Sequence, residues 1–295
     1  MIYTISNEKL TVKIDSYGAE LSSIKKNGSD IEYLWQGDER SWASRASVLF
    51  PFIGRLKDKK YIYDGAEYSI NSHGFARKME FDVEDSGESY ITFFIKDNID
   101  TLKEYPFNFK FSITYSLDGN RIVKEQHIEN LSNGSMLYEV GGHDGYNIAI
   151  YDGEAMSDYY FKFNDNVKLD TYAFDENLML AKEKKDVRTN NGILDISMEL
   201  FKDDALVLTF DDEKDRTVSL CNKSGEYNIQ VDFGQCKYLG LWTRYLDYET
   251  KFVCIEPWTS LPDCAFLDYS FDNKIDVRKL DKGESETISY TITIM

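Results

Sequence analysis

The sequence is poor in the residues that build the commonest catalytic and metal-binding motifs. Among 295 residues there are three His, four Cys and four Pro. Cys221, Cys236, Cys254 and Cys264 are unevenly spaced and form no C-x-x-C. Neither a zinc site nor a redox pair is therefore expected, and buried reduced thiols are. The chain has no G-x-G-x-x-G after a strand, no P-loop, no H-E-x-x-H and no G-x-S-x-G, which removes the nucleotide-binding, zinc-protease and α/β-hydrolase readings. No window approaches the ~18 uninterrupted apolar residues of a membrane-spanning helix. No basic and apolar leader follows Met1, so a cytoplasmic location is expected. Positive charge is also short, with Lys+Arg 34 against Asp+Glu 52 and a formal net charge of -18. Nucleic acid and anionic membranes both demand clustered positive charge, so neither is expected as a partner.

What the chain does have is alternation. Apolar residues make up 42% and charged residues 29%, a globular composition, and the 21 Tyr and 18 Phe favour strands. Phe107, Phe109, Phe111, Ile113, Tyr115 and Leu117 alternate with polar residues, as a half-buried strand requires. Asp118-Gly119 then offers a tight turn into the segment 121–130. Ile288, Tyr290, Ile292 and Ile294 repeat the pattern at the end of the chain. Further strands are expected over 10–14, 90–96, 205–210, 217–222, 227–233, 238–243 and 251–258. Helical signal is confined to 97–105 and 178–186. Close-spaced strands without long helices between them exclude βαβ architecture and predict sandwiched antiparallel sheets. No linker composition divides the chain, so one domain over 1–295 is expected.

Few residues stand out as chemistry. His127 lies between Glu125 and Glu129 in a strand and reads as a solvated face. His73, in Asn71-Ser72-His73-Gly74-Phe75-Ala76-Arg77, belongs to a loop. His143 sits in Gly141-Gly142-His143-Asp144-Gly145, where the glycines permit either a close approach or a positive φ. Each of these two His reads equally as a turn residue or a site residue. Glu256 shares a strand face with Phe252, Cys254 and Trp258, where a carboxylate is costly unless paired. The alternative is an edge strand with Glu256 in water, which Pro257 would tolerate. Arg55 follows the apolar run Pro51-Phe52-Ile53-Gly54 and reads as a surface or a site charge. Asp204 reads as a polar turn before a strand, and Asp263 as a turn cap.

Taken together, Pro51-Phe52-Ile53-Gly54-Arg55-Leu56, His73-Gly74-Phe75-Ala76-Arg77, Gly141-Gly142-His143 with Asn147, and Cys254-Ile255-Glu256-Pro257-Trp258 with Pro262-Asp263 resemble the aldose 1-epimerases. Within that family the LacX-like branch is the nearest likeness, and the resemblance spans 1–295, including Gly18-Ala19-Glu20-Leu21. It implies an all-β fold, the antiparallel β-supersandwich of galactose mutarotase-like proteins. It implies interconversion of the α and β anomers of an aldohexose such as galactose or glucose, with no cofactor and no metal. By motif, Glu256 corresponds to the catalytic base and His143 to the catalytic acid. His73, Arg55 and Asp204 correspond to substrate-binding residues, although the residues around Asp204 differ from the family pattern. The family often has Pro-Ala-Phe where this chain has Asp144, Gly145 and Tyr146, and Gly in place of Ser260. Asp144 is expected either to raise the His143 pKa or to face solvent.

The resemblance leaves two further readings open. A sugar-binding or regulatory protein could keep the fold without turnover. A hexose-6-phosphate mutarotase would need cations at the pocket mouth, for which Arg45, Arg77, Lys78 and Arg244 are candidates. One assembly open to such a protein is a homodimer. For the mutarotase, Glu256 is expected to be ionised and His143 protonated. The two should lie roughly 4–8 Å apart across one cleft without bonding to each other, each within reach of one sugar oxygen. His73 and Arg55 should line that cleft, His127 should not, and Trp242, Trp258 or Phe75 could stack on the sugar.

Overall fold

The alternating runs pair into two large antiparallel sheets. In the computed structural model, which describes residues 1–295, a nine-stranded sheet has the order Ile193–Asp195, Tyr159–Lys162, Thr217–Asn222, Asn228–Asp232, Ser285–Ile294, Arg121–Asn130, Phe109–Asp118, Tyr90–Lys96, Asp82–Ser86. A seven-stranded sheet has the order Leu180–Asp186, Asp170–Phe174, Leu206–Thr209, Tyr238–Trp242, Phe252–Trp258, Gly141–Asn147, Ala46–Leu49. A three-stranded sheet, Ile2–Ser6, Leu10–Asp15 and Glu20–Lys26, and two short ribbons complete it. The one α-helix is Thr101–Glu104, inside the 97–105 segment where helical signal was read. No helix is long and apolar enough to cross a membrane.

The inward faces of both sheets meet in a shared core. Ile113, Ile122, Ile128 and Ile292 of the larger sheet join Val48, Leu208, Leu239, Val253 and Ile255 of the smaller one in a single apolar cluster. Each such fully buried side chain contributes about 1.5–3 kcal/mol of transfer free energy. Polar contacts also cross between the sheets. Gln126 Nε2 donates to the Gly141 carbonyl at 3.0 Å, and Tyr290 Oη donates to Asp144 Oδ2 at 2.6 Å. Lys124 Nζ stands 3.5 Å from Asp144 Oδ1, with both side chains fully buried.

Two local expectations are corrected. The segment 178–186 is not helical: Leu180–Asp186 is a strand paired with Asp170–Phe174. Its Leu, Ala, Lys and Glu favour helix intrinsically, but the open sheet edge supplies backbone partners, and tertiary pairing overrides a weak propensity. The strand carrying Glu256 is not an edge either, since Tyr238–Trp242 and Gly141–Asn147 flank it. Pro257 is tolerated there because the ladder to Gly141–Asn147 is interrupted: Gly141 pairs with Trp258 and Asp144 with Ile255, while Gly142 and His143 between them make no ladder pair.

Candidate active site

The site is built on the face of the seven-stranded sheet that points away from the shared core. Alternation along Phe252–Trp258 puts Cys254 and Glu256 on that face, and the pairs bracketing the ladder gap set His143 opposite Glu256. His143 Nε2 lies 3.4 Å from Glu256 Oε2. This is closer than the separation expected from the sequence, and the two face each other directly. At this distance the two groups are adjacent without a hydrogen bond between them.

The glycines around His143 serve close approach, not positive φ. All three lie in the strand Gly141–Asn147 and none has a positive φ. A Cβ on Gly142 would sit 2.1 Å from Tyr290 Oη on the core side. A Cβ on Gly145 would sit 2.7 Å from Trp42 Cζ3 on the site side. Trp42 uses that space to stack on the His143 ring, with centroids 4.8 Å apart and planes at 24°. Trp242 meets both rings edge-on.

His73 closes the site from a loop. Its φ is +65°, a strained value for a residue with a Cβ, of the kind found at functional sites. The Gly54 N–H donates to His73 Nδ1 at 3.2 Å, which makes Nδ1 the acceptor and leaves Nε2–H as the donor. Burial holds the His73 pKa well below that of free imidazole; coupling to the His143 ring and the charges of Arg77 and Arg55 act in the same direction. Arg55 Nη1 donates to Asp204 Oδ2 at 2.6 Å. Asp204, with φ +92°, occupies the turn before Leu206–Thr209.

A buried network fixes the loop that carries Arg55. The Ile53 N–H donates to Glu139 Oε2 at 2.8 Å and the Lys57 N–H to Asp263 Oδ2 at 2.9 Å. Lys274 donates to Asp263 and lies 3.3 Å from Glu139 Oε1. Burial pushes the Glu139 pKa up to about 7 against the pull of Lys274. Asp263 is thus a buried member of an ion-pair network and not the turn cap expected: its carboxylate bonds Lys57 and Lys274, both remote in sequence.

His73, Arg55, Asp204, His143 and Glu256 line one cavity of about 190 Å³ together with Trp42, Arg77, Trp242 and Trp258. It opens past Trp42, Arg55 and Asp204 into an outer cavity of about 760 Å³. His127 lies elsewhere, on the nine-stranded sheet, with Nδ1 2.8 Å from Thr287 Oγ1. Phe75 packs against Phe50, Tyr105 and Phe109 in the core and does not line the cavity. Among the lining residues that escaped the sequence reading of the site, Arg77 and Trp42 carry the chemistry. Arg77 was read only as a phosphate candidate, yet it lies in the same quoted segment as His73. Trp42 was missed altogether, and its only signal was an aromatic among the Gly, Asp and Ser of 37–44.

Protonation also departs from the expectation. Burial raises the Glu256 pKa well above the carboxylate range, and the negative charges of Asp204 and Asp144 raise it further. Burial pushes His143 down to about 3, with the Arg77 charge acting in the same direction. His143 Nδ1 is buried without a hydrogen-bond partner, which disfavours imidazolium again. Burial thus disfavours the charged form of both members of the pair. Asp144 neither faces solvent nor raises His143: it is on the opposite face of the strand, bonded to Tyr290 and Lys124, and its charge acts on Glu256.

A cluster that could hold a metal ion lies here as well. His143, Cys254 and Glu256 each offer one ligand atom, all within 4.8 Å of one another and all buried. They are remote in sequence and adjacent only through strand pairing, so cysteine spacing gave no warning of it.

Comparison with known proteins agrees with this architecture. The chain is 32% identical over 304 aligned residues to protein LacX, plasmid form, of Lactococcus lactis subsp. lactis, with all of both chains covered. It is 33% identical to a galactose mutarotase related enzyme from Lactobacillus acidophilus, whose crystal structure superposes with a TM-score of 0.95 over 100% of this chain and 97% of the other. A galactose mutarotase-like protein from Lactobacillus casei, 25% identical, superposes with a TM-score of 0.93 over the full length of both. The sequence model of the family described as aldose 1-epimerase matches residues 1–269. With the family pattern matching about nine-tenths of this chain and a full-length relative above 30% identity, the chain belongs to the aldose 1-epimerase family.

Proposed function

We propose that the protein is a mutarotase for a neutral aldohexose, with Glu256 and His143 as one proton-carrying pair. The observation that carries this reading is the 3.4 Å approach of His143 Nε2 to Glu256 Oε2 on the floor of a buried cavity. Mutarotation opens a cyclic hemiacetal and closes it on the other face. The C1 hydroxyl loses a proton, the C1–ring oxygen bond breaks, C1 becomes a carbonyl, and the ring oxygen gains a proton. No net proton is consumed, so one proton on a two-site pair suffices.

In this reading the resting pair is uncharged. A bound sugar donates its C1 hydroxyl to Glu256 and presents its ring oxygen to His143, and those charge-assisted bonds favour carboxylate and imidazolium. Glu256 then takes the C1 proton as His143 delivers its own to the ring oxygen, which regenerates the uncharged pair beside the open-chain aldehyde. After rotation about C1–C2 both transfers reverse. The His73 Nε2–H and the Arg55–Asp204 pair hold the remaining hydroxyls, and Trp42 or Trp242 covers an apolar C–H face.

A neutral sugar fits the charge better than a phosphorylated one. Arg55 is paired with Asp204. Arg244 Nη1 donates to the Ser41 carbonyl at 3.0 Å, and Lys202 is paired with Glu199. Asp175, Glu176 and Asp203 line the same outer cavity and add negative charge. The test is the approach of freshly dissolved α-D-galactose and α-D-glucose to anomeric equilibrium, followed by polarimetry or NMR. Acceleration over buffer supports the enzyme. Binding without acceleration, across free and phosphorylated hexoses, replaces it with the non-catalytic sugar-binding reading.

A further inference from the structure

Beside the cleft, against His143 and Glu256, lies a buried thiol that proton transfer does not use. Cys254 is fully buried, is a free thiol, and sits two residues before Glu256 on the same strand face. Its sulfur, a ring nitrogen of His143 and a carboxylate oxygen of Glu256 converge within 4.8 Å. From these positions we propose that His143, Cys254 and Glu256 form an inhibitory binding site for a thiophilic divalent cation such as zinc or cadmium.

Three observations support the site. The first is distance. At 3.4 Å the His143 and Glu256 atoms lie beyond the usual 2.7–3.2 Å range of an N–H···O bond. Tetrahedral zinc with Zn–N and Zn–O bonds of about 2.0–2.2 Å separates two such ligands by roughly 3.3–3.5 Å, which is the gap already present. The second is donor type. Sulfur, imidazole nitrogen and carboxylate oxygen are the ligands zinc takes, and a set with sulfur disfavours magnesium and calcium. The third is charge. One thiolate and one carboxylate neutralise a divalent ion, so the complex adds no net charge to a buried site.

Ligation displaces the thiol proton and the proton of the Glu256–His143 pair into solvent, and the metal–sulfur, metal–nitrogen and metal–oxygen bonds replace them. Two of the three ligands, His143 and Glu256, line the cavity. The ion therefore occupies both proton-transfer groups and competes with the sugar. This goes beyond the mutarotase reading, and its binding arm does not depend on activity.

Cadmium is the probe. On titration into the intact protein, a thiolate-to-cadmium ultraviolet absorption band should grow to one equivalent. Saturating galactose should suppress it. Cys254→Ala and Cys254→Ser, made separately so that one folded variant suffices, should lose the band although Cys221, Cys236 and Cys264 remain. In anomerisation assays the zinc concentration for half-inhibition should rise roughly tenfold to hundredfold or more in these variants, since even indirect support of a ligand is worth that much. A band that survives in the Cys254 variants, or that galactose does not suppress, overturns the proposal. If no sugar is turned over but the band behaves as expected, the metal site stands and the mutarotase reading fails.

Discussion

Replacing Glu256 by Gln separates catalysis from folding at one atom. The side chain is 2% exposed, between Gly240 and His143, and the amide keeps its length and shape. It cannot accept or return a proton, so the pair loses one of its two sites. General acid–base groups contribute typically about 10²–10⁴-fold, equivalent to roughly 2.7–5.4 kcal/mol of barrier at 1.36 kcal/mol per decade. The kcat for α-D-galactose should fall by that factor with little change in KM. Stability should move the other way. The Glu256 carboxyl has a folded pKa raised above its unfolded value. A carboxyl shifted in this direction stabilises the fold below its unfolded pKa, and that contribution is lost as pH rises through the folded pKa. Gln carries no such penalty, so the variant should melt at or above the wild-type Tm near pH 7, with the gap widening at higher pH. Each kcal/mol is worth about 2–4 °C in chains of 150–250 residues, and no more than that in one of 295. The assays are NMR exchange rates between anomers and calorimetric melting from pH 5 to 9. Near-normal kcat, or a Tm that drops together with activity, would refute the reasoning.

The same pair sets a pH–rate profile with an unusually wide plateau. Activity should decline on the acid side only as His143 takes up a second proton near its depressed value of about 3, and on the alkaline side as Glu256 loses its proton. A midpoint near the ordinary His value of about 6.5 would contradict the one-proton pair. Gly145→Ala places a Cβ against Trp42, 2.7 Å from Cζ3. It should tilt the indole off His143 and raise KM several-fold, with loss of any galactose-induced change in tryptophan fluorescence as the check. Lys274→Met leaves Glu139 and Asp263 buried without their cation. Breaking a buried pair in this way costs about 3–5 kcal/mol, read as a lower urea midpoint, and the freed Arg55 loop should weaken sugar binding as well.

How much of this was legible beforehand depended on whether a feature is written along the chain or across it. The period-two runs at Phe109–Asp118 and Ser285–Ile294 state their own burial, so the sheets could be read directly. The segment 178–186 could not, because nothing local records that an unpaired sheet edge waits beside it. His73, His143, Glu256 and Arg55 were visible because the resemblance rests on the short segments that hold them. What those segments omit is the register. That His143 falls opposite Glu256 follows from the pairing of Gly141 with Trp258 and Asp144 with Ile255, and only that register brings two separate groups within 3.4 Å of each other. Register also reverses the expected role of Asp144. Neighbouring residues in a strand point to opposite faces, so a charge next to His143 in sequence lies behind it in space and perturbs Glu256 instead. Cys254 illustrates the converse. By cysteine spacing it was one of four buried reduced thiols, but two residues from Glu256 on one strand and paired with Gly145 on the next it comes within 4.8 Å of the His143 and Glu256 ligand atoms. In a sheet-borne active site the chemistry is therefore specified by side-chain parity and strand offset together, and a motif read along one strand carries only the parity.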